Sequence, residues 1–188
     1  MRIALDVDGV LADLAGMILK IYGEETGIHL SRDFVTEWEF WTKLGLSRRE
    51  FVDLIVKAWS RWDEIKPIED DLEEDTRKLT RLGRVEILTQ RPASTIGPVK
   101  QWLRERGISY HGFTWVPLKS SKTNFQYDFY IDDSPRLAEQ LRKLGRRIFL
   151  YDQPWNRMVA SSEYVVRVGS IDECLEYLEG GLFAAGQI

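Results

Sequence analysis

Arg2-Ile3-Ala4-Leu5-Asp6-Val7-Asp8-Gly9-Val10 opens the chain and decides how the rest is read. Ile3, Leu5 and Val7 stand among small and apolar neighbours, the composition of a short strand buried on both faces. Two carboxylates and a glycine follow where that strand should end. A buried carboxylate is costly unless a cation or a set of donors compensates it. Asp-Gly is also an ordinary turn signal, so on this stretch alone a turn and a site stand level. The remainder of the chain separates them.

Past Gly9, the spacing of Leu11, Leu14, Ile18 and Ile21 predicts a helix over Val10–Tyr22. Asp33–Leu44 is rich in aromatic residues, and Ser47 with Glu50 forms a capping box for a helix carrying Phe51, Leu54, Ile55, Ala58, Trp59 and Trp62. No strand-like run occurs between Val10 and Pro67, so this part reads as a small insertion of three helices. Beyond Pro67 the pattern alternates. Helices are expected over Asp71–Leu82, Thr95–Arg106, Pro135–Leu144 and Ser170–Leu178, with strands over Arg84–Leu88, Phe113–Val116, Asp128–Ile131, Arg146–Tyr151 and Tyr164–Val168. The tail Gly180–Ile188 shows no pattern and is expected to fray. The alternation implies an α/β fold with a Rossmann-like parallel sheet of five or six strands and a small all-helical cap inserted after the first strand. The core then comprises residues 1–12 and 68–188, and the cap residues 13–67.

Composition narrows the function classes. The 188 residues suffice for one domain with a modest insertion, and 44% hydrophobic residues allow a proper core. A net charge of −4, with both signs mixed along the chain, offers no basic face for a nucleic-acid polymer. Cys174 is the only cysteine, which excludes an internal disulfide or a cysteine metal cluster. Cys174 is read as core, and His29 and His111 are isolated and carry no assigned role. With no leader pattern and no long apolar run, a soluble cytoplasmic protein without a membrane partner is expected. Charged residues at 30% and only two asparagines lean towards a heat-adapted source. Monomer and homodimer both remain open.

In a parallel sheet, ligands bind beyond the carboxyl ends of the strands. Those ends carry Asp6 and Asp8, then Thr89, Gln90 and Arg91, then Asp132 and Asp133. Carboxylates gathered at one edge repel each other, and a divalent cation resolves the conflict. Oxygen donors without a His or Cys cluster favour Mg²⁺ over Zn²⁺. Carboxylates, Mg²⁺, a hydroxyl and a lysine together meet the needs of phosphoryl transfer: one carboxylate attacks phosphorus and a second moves the proton. Thr89, Gln90, Arg91 and a lysine are the candidate phosphate-binding groups; Arg91 reads equally as a surface salt bridge.

These motifs, Asp6-x-Asp8-Gly9-Val10, Ile87-Leu88-Thr89, a downstream lysine and Tyr130-Ile131-Asp132-Asp133, resemble the four ordered motifs of haloacid dehalogenase-like (HAD) phosphohydrolases. The run from Lys122-Thr123 to Asp132-Asp133, the place of the insertion, and the segments Ile68-Glu69-Asp70 and Asp152-Gln153-Pro154-Trp155-Asn156 are similar to the 5′(3′)-deoxyribonucleotidase, or type C 5′-nucleotidase, branch. The resemblance implies that Asp6 is the nucleophile and Asp8 the acid/base. It implies that Thr89 binds phosphate and that Asp6, Asp133, Asp132 and the main-chain carbonyl of Asp8 form the metal site, with Asp133 the direct ligand. Lys119 and Lys122 both suit the third motif, and Lys122 is favoured.

The expected activity is therefore a Mg²⁺-dependent phosphomonoesterase working through an aspartyl-phosphate. A (deoxy)nucleoside 5′-monophosphate is the favoured small phosphorylated substrate. A sugar phosphate, a phosphotransferase activity or a non-catalytic nucleotide-binding module are the alternatives. Trp38, Phe40, Trp41, Trp59 and Trp62 could stack a base or build the cap's own small core, and the second role suits most of them. Trp38, Phe40 and Trp41 cannot all face inward on one helix, so at least one faces solvent or the site, and that one is the substrate candidate.

Overall fold

A computed structural model describes residues 1–180 of the protein. The expectation of a frayed tail falls, from residue 181 onward, outside the described residues. The strands are β1 (Arg2–Leu5), β2 (Arg84–Gln90), β3 (Gly112–Val116), β4 (Phe129–Asp132), β5 (Arg147–Tyr151) and β6 (Val165–Val168). They form a six-stranded parallel sheet in the order β3-β2-β1-β4-β5-β6. The helices are α1 (Leu14–Thr26), α2 (Arg48–Ser60), α3 (Leu72–Leu82), α4 (Ile96–Glu105), α5 (Pro135–Lys143) and α6 (Ile171–Glu179).

Side chains alternate across the sheet with the period of two that a strand imposes. Ile3, Leu5, Ile131 and Phe149 join one core with Leu79 of α3, Trp102 of α4 and Cys174 of α6. Ala4, Tyr130, Ile148 and Leu150 join the other with Leu137 and Leu141 of α5. Both faces are thus covered, which explains the near-continuous apolar composition of β1 and β4. Strand order reverses at β1, whose neighbours are β2 and β4, so the crevice expected of such a sheet opens at its carboxyl end.

The helix expected from Val10 begins instead at Leu14. Residues 7–12 fold into a tight loop in which Leu11 N and Ala12 N both donate to Val7 O, and Asp13 caps the helix by accepting from Gly16 N. Ala12 and Pro67 form an isolated antiparallel bridge that brings the two ends of the 13–67 segment together. Between them the aromatic stretch is not a third α-helix. It makes two 3₁₀ turns, Arg32–Phe34 and Phe40–Leu44, so only α1 and α2 are α-helical in this segment. The Ser47–Glu50 capping box is formed. Among the described residues, no helix is long and apolar enough to cross a membrane.

Candidate active site

β1 carries Asp6 to the crevice because Asp6 N still donates to Ile131 O, extending the ladder by one residue. The chain then turns through Gly9, whose φ of 81° lies in the left-handed region. A Cβ at Gly9 would overlap the Asp133 carboxylate, so glycine here serves both the turn and the close approach of β1 and β4. Asp132 ends β4, and Asp133 follows it ahead of α5, whose N-cap is Ser134.

Asp6, Asp132 and Asp133 are buried, and each presents a carboxylate oxygen within 4.8 Å of the others. Lys122 enters this cluster from the loop before β4. Its Nζ donates to Asp132 Oδ2 at 2.6 Å and pairs with Asp6 Oδ2 at 2.7 Å. Lys119, the other candidate, is exposed. Burial alone would lower the Lys122 pKa, but the Asp132 and Asp6 carboxylates outweigh it and hold the ammonium above its usual range. Burial pushes the Asp132 carboxyl up to about 6, with Lys122 opposing and Asp6 adding to the rise. Asp133 is pushed well up by burial, then by Asp132 and Asp6.

Asp133 is held by residues the sequence reading did not single out as functional. Trp155 Nε1 donates to Asp133 Oδ2 at 3.0 Å, and Asn156 Nδ2 donates to Asp133 O at 2.9 Å. Gln153 Nε2 donates to Gly9 O at 2.8 Å, and its Oε1 accepts from Arg32 Nη2. The Gln153–Asn156 stretch thus braces both the Gly9 turn and Asp133. Its only mark in the sequence was similarity to a family segment.

Asp8 does not join the carboxylate cluster. Its Oδ1 accepts from Trp59 Nε1 at 3.2 Å and its Oδ2 from Arg91 Nη2 at 2.9 Å. Burial raises the Asp8 pKa, Arg91 pulls it back, and Asp6 adds to the rise. Arg91 corrects an expectation: it is neither a surface salt bridge nor a wall of the cavity. Its side chain is 1% exposed, and it donates to Thr89 Oγ1 through both Nε and Nη2. Thr89 accepts twice, which leaves its O–H as a donor. Gln90 was expected to bind phosphate. It reaches the cavity, but Nε2 donates to Pro117 O, Leu118 O and Ser120 O and so fixes the loop leading to Lys122.

Over these residues lies a cavity of about 390 Å³. Asp6, Asp8, Lys122, Asp132 and Asp133 form its floor, and Trp38, Phe40, Trp41, Phe51 and Ile55 form an apolar wall from the 13–67 segment. Phe40, Trp41 and Phe51 are locked together: Trp41 stacks on Phe51 at 4.1 Å, and Phe40 meets both rings edge-on. All three predicted aromatics reach the cavity, and they do not share one helix, since Trp38 precedes the turn that holds Phe40 and Trp41. Trp59, expected in the small core of the insertion, is fully buried and also bonds Asp8.

A family model described as 5′ nucleotidase, deoxy (pyrimidine), cytosolic type C protein matches residues 1–178. No curated protein sequence gives a significant match. Among solved structures, the chain is similar to the HAD-hydrolase YfnB of Bacillus subtilis bound to magnesium, with TM-score 0.61 and 16% identity over 94% of this chain and 97% of that one. It is also similar to CbbY of Rhodobacter sphaeroides in complex with phosphate, with TM-score 0.56 and 14% identity over 92% and 95% of the two chains. Protein Tyrosine Kinase A of Mycobacterium tuberculosis gives TM-score 0.64 and 16% identity over 94% and 97%. At these identities the structural likeness speaks to fold alone.

Proposed function

The chain belongs to the cytosolic type C 5′-nucleotidase family and is a HAD-type phosphatase; from this we propose that it hydrolyses a (deoxy)nucleoside 5′-monophosphate through an aspartyl-phosphate on Asp6. The observation that carries the reading is one cavity with two unlike halves. Its floor holds three carboxylates and a lysine, and its wall is aromatic. We take residues 13–67, which supply that wall, as the cap.

In the first half-reaction, an Asp6 carboxylate oxygen attacks phosphorus as the ester P–O bond breaks. Asp8 delivers its proton to the departing alkoxide oxygen. In the second, Asp8 takes a proton from water, the water oxygen bonds to phosphorus, and the Asp6–phosphorus bond breaks. Lys122, which lines the cavity, is the donor we assign to offset charge on the phosphoryl oxygens, whereas Thr89, expected in that role, is buried outside the cavity lining and bonded to Arg91. The donor set suits a hard divalent cation, because it is all oxygen and Asp6 Oδ1 is buried without a hydrogen-bond partner. Asp6, Asp132, Asp133 and the Asp8 carbonyl would hold Mg²⁺, which when bound neutralises phosphate charge.

Trp38 is the favoured base-stacking residue. Phe40, Trp41 and Phe51 already satisfy one another, whereas Trp38 lines the cavity and packs against no other ring among the described aromatic pairs. A wall of this kind suits a flat base better than the hydroxyls of a sugar phosphate. The test is phosphate release from a panel of nucleoside 5′-monophosphates and sugar phosphates with Mg²⁺. Preference for the nucleotides is expected; preference for sugar phosphates would move the substrate to that class.

A further inference from the structure

Asp8 is gripped on both carboxylate oxygens by residues that the proposed chemistry does not use. Arg91 comes from the loop after β2 and Trp59 from α2 of the cap. The two also meet each other, the Arg91 guanidinium carbon lying 4.9 Å from the Trp59 ring centroid, so the three residues close a triangle. The triangle is buttressed from behind. Thr89 Oγ1 takes two of the Arg91 donors, Trp115 Nε1 donates to Arg91 O, and Trp102 meets Trp59 edge-on at 6.3 Å. Among the described residues, Asp8 is the one carboxylate that pairs with Arg91.

Neither Arg91 nor Trp59 lines the cavity, so neither is placed to bind substrate. Their effect on the reaction has to pass through Asp8. A carboxylate accepts at about four lone-pair positions, and this grip uses two from the protein side. The Asp8 side chain stays 23% exposed, towards the cavity. An aspartate has two rotatable side-chain bonds, and a proton donor misplaced by about 1 Å can cost around 100-fold in rate.

We propose that Arg91 and Trp59 are positioning residues that hold the Asp8 carboxyl in line with the leaving-group oxygen. One comes from the core and one from the cap, so seating the cap helps to set the acid/base. The proposal rests on the phosphatase reading given above, in which Asp8 moves the proton.

The test compares leaving groups within one protein sample. An alkyl phosphomonoester taken from the substrate panel needs a proton on its leaving oxygen, whereas p-nitrophenyl phosphate expels a stable anion and does not. Phosphoenzyme formation is measured by rapid quench for the wild type, Trp59→Phe and Arg91→Lys. Trp59→Phe keeps an aromatic ring beside Arg91 but removes the N–H together with part of the buried indole; Arg91→Lys keeps the charge but cannot span Asp8 and Thr89. Each variant should lose about tenfold or more on the alkyl ester, the scale of one hydrogen bond to a charged group. The loss on p-nitrophenyl phosphate should stay below about threefold, with KM for both esters within about twofold.

The ratio of the two rates is unaffected by the folded fraction, so partial unfolding of a variant does not mimic the result. Equal losses on both esters, or no loss in either variant, would overturn the positioning role. A wild type inert towards both esters would instead overturn the phosphatase reading.

Discussion

Lys122 Nζ lies 2.7 Å from Asp6 Oδ2 while donating to Asp132 Oδ2, so one buried ammonium offsets two of the three clustered carboxylates. Breaking a buried pair of this kind costs about 3–5 kcal/mol, because it strands charge away from water. Lys122→Met should therefore lower the melting temperature of the metal-free protein at neutral pH and reduce kcat by at least about 100-fold. Calorimetry and steady-state kinetics check both. A variant as stable and active as the wild type would remove Lys122 from the site.

Protons compete for the same carboxylates. Burial pushes Asp132 up to about 6 in the folded protein, whereas an unfolded aspartate titrates near 3.9. The folded metal-free protein therefore holds the extra proton in this window. That contribution to stability is full below about pH 4 and is lost as pH rises through about 6. Mg²⁺ should raise the melting temperature more at about pH 7.5 than at about pH 5. Melting curves with and without Mg²⁺ at both pH values test this, and an equal shift at both would contradict it.

Gly9→Ala places a Cβ against the Asp133 carboxylate at a φ of 81°. The left-handed conformation alone costs about 1–2 kcal/mol for a non-glycine residue. The displaced Asp133 should also weaken Mg²⁺ binding, seen as a rise in the Mg²⁺ concentration giving half-maximal activity. A folded variant with an unchanged Mg²⁺ requirement would argue against Asp133 as a ligand.

Trp38→Ala should raise KM for the preferred nucleotide about 5- to 150-fold, the range of about 1–3 kcal/mol measured for base–aromatic stacking. The change should fall mainly on KM, since the ring lies on the wall and away from the reacting groups. A loss confined to kcat would assign Trp38 a different role.

What could be read in the chain followed from how local each signal was. Buried strands ending in carboxylates announce themselves within a few residues, and Asp6, Asp132, Asp133 and Lys122 do come together at one sheet edge. The six parallel strands follow from the same alternation. α1 starts later than the spacing predicts because Leu11, though at helical spacing, is pinned in the Val7 turn by backbone bonds. Phe34, Trp38 and Trp41 have helical spacing, but Phe40 and Trp41 form a 3₁₀ turn whose rings pack on Phe51 of α2. Arg91 was the hardest to read. Its partner Asp8 lies 83 residues away, and nothing local to Thr89-Gln90-Arg91 says that the guanidinium turns inward. The Trp59–Asp8 bond spans 51 residues and hides within an ordinary amphipathic helix. Side chains that hold other side chains leave little pattern in sequence, because their geometry exists only once the fold brings them together.

In the proposed reaction, Asp6 carries the phosphoryl group. Rapid acid quench of wild type and Asp6→Asn during turnover with Mg²⁺ and the preferred nucleotide, followed by mass spectrometry of the Asp6-containing peptide, tests it most directly. A phosphoryl adduct on Asp6 in the wild type, absent from an Asp6→Asn variant that retains no more than a small percentage of activity, is the expected result. An adduct elsewhere, or turnover in Asp6→Asn close to that of the wild type, would contradict the account.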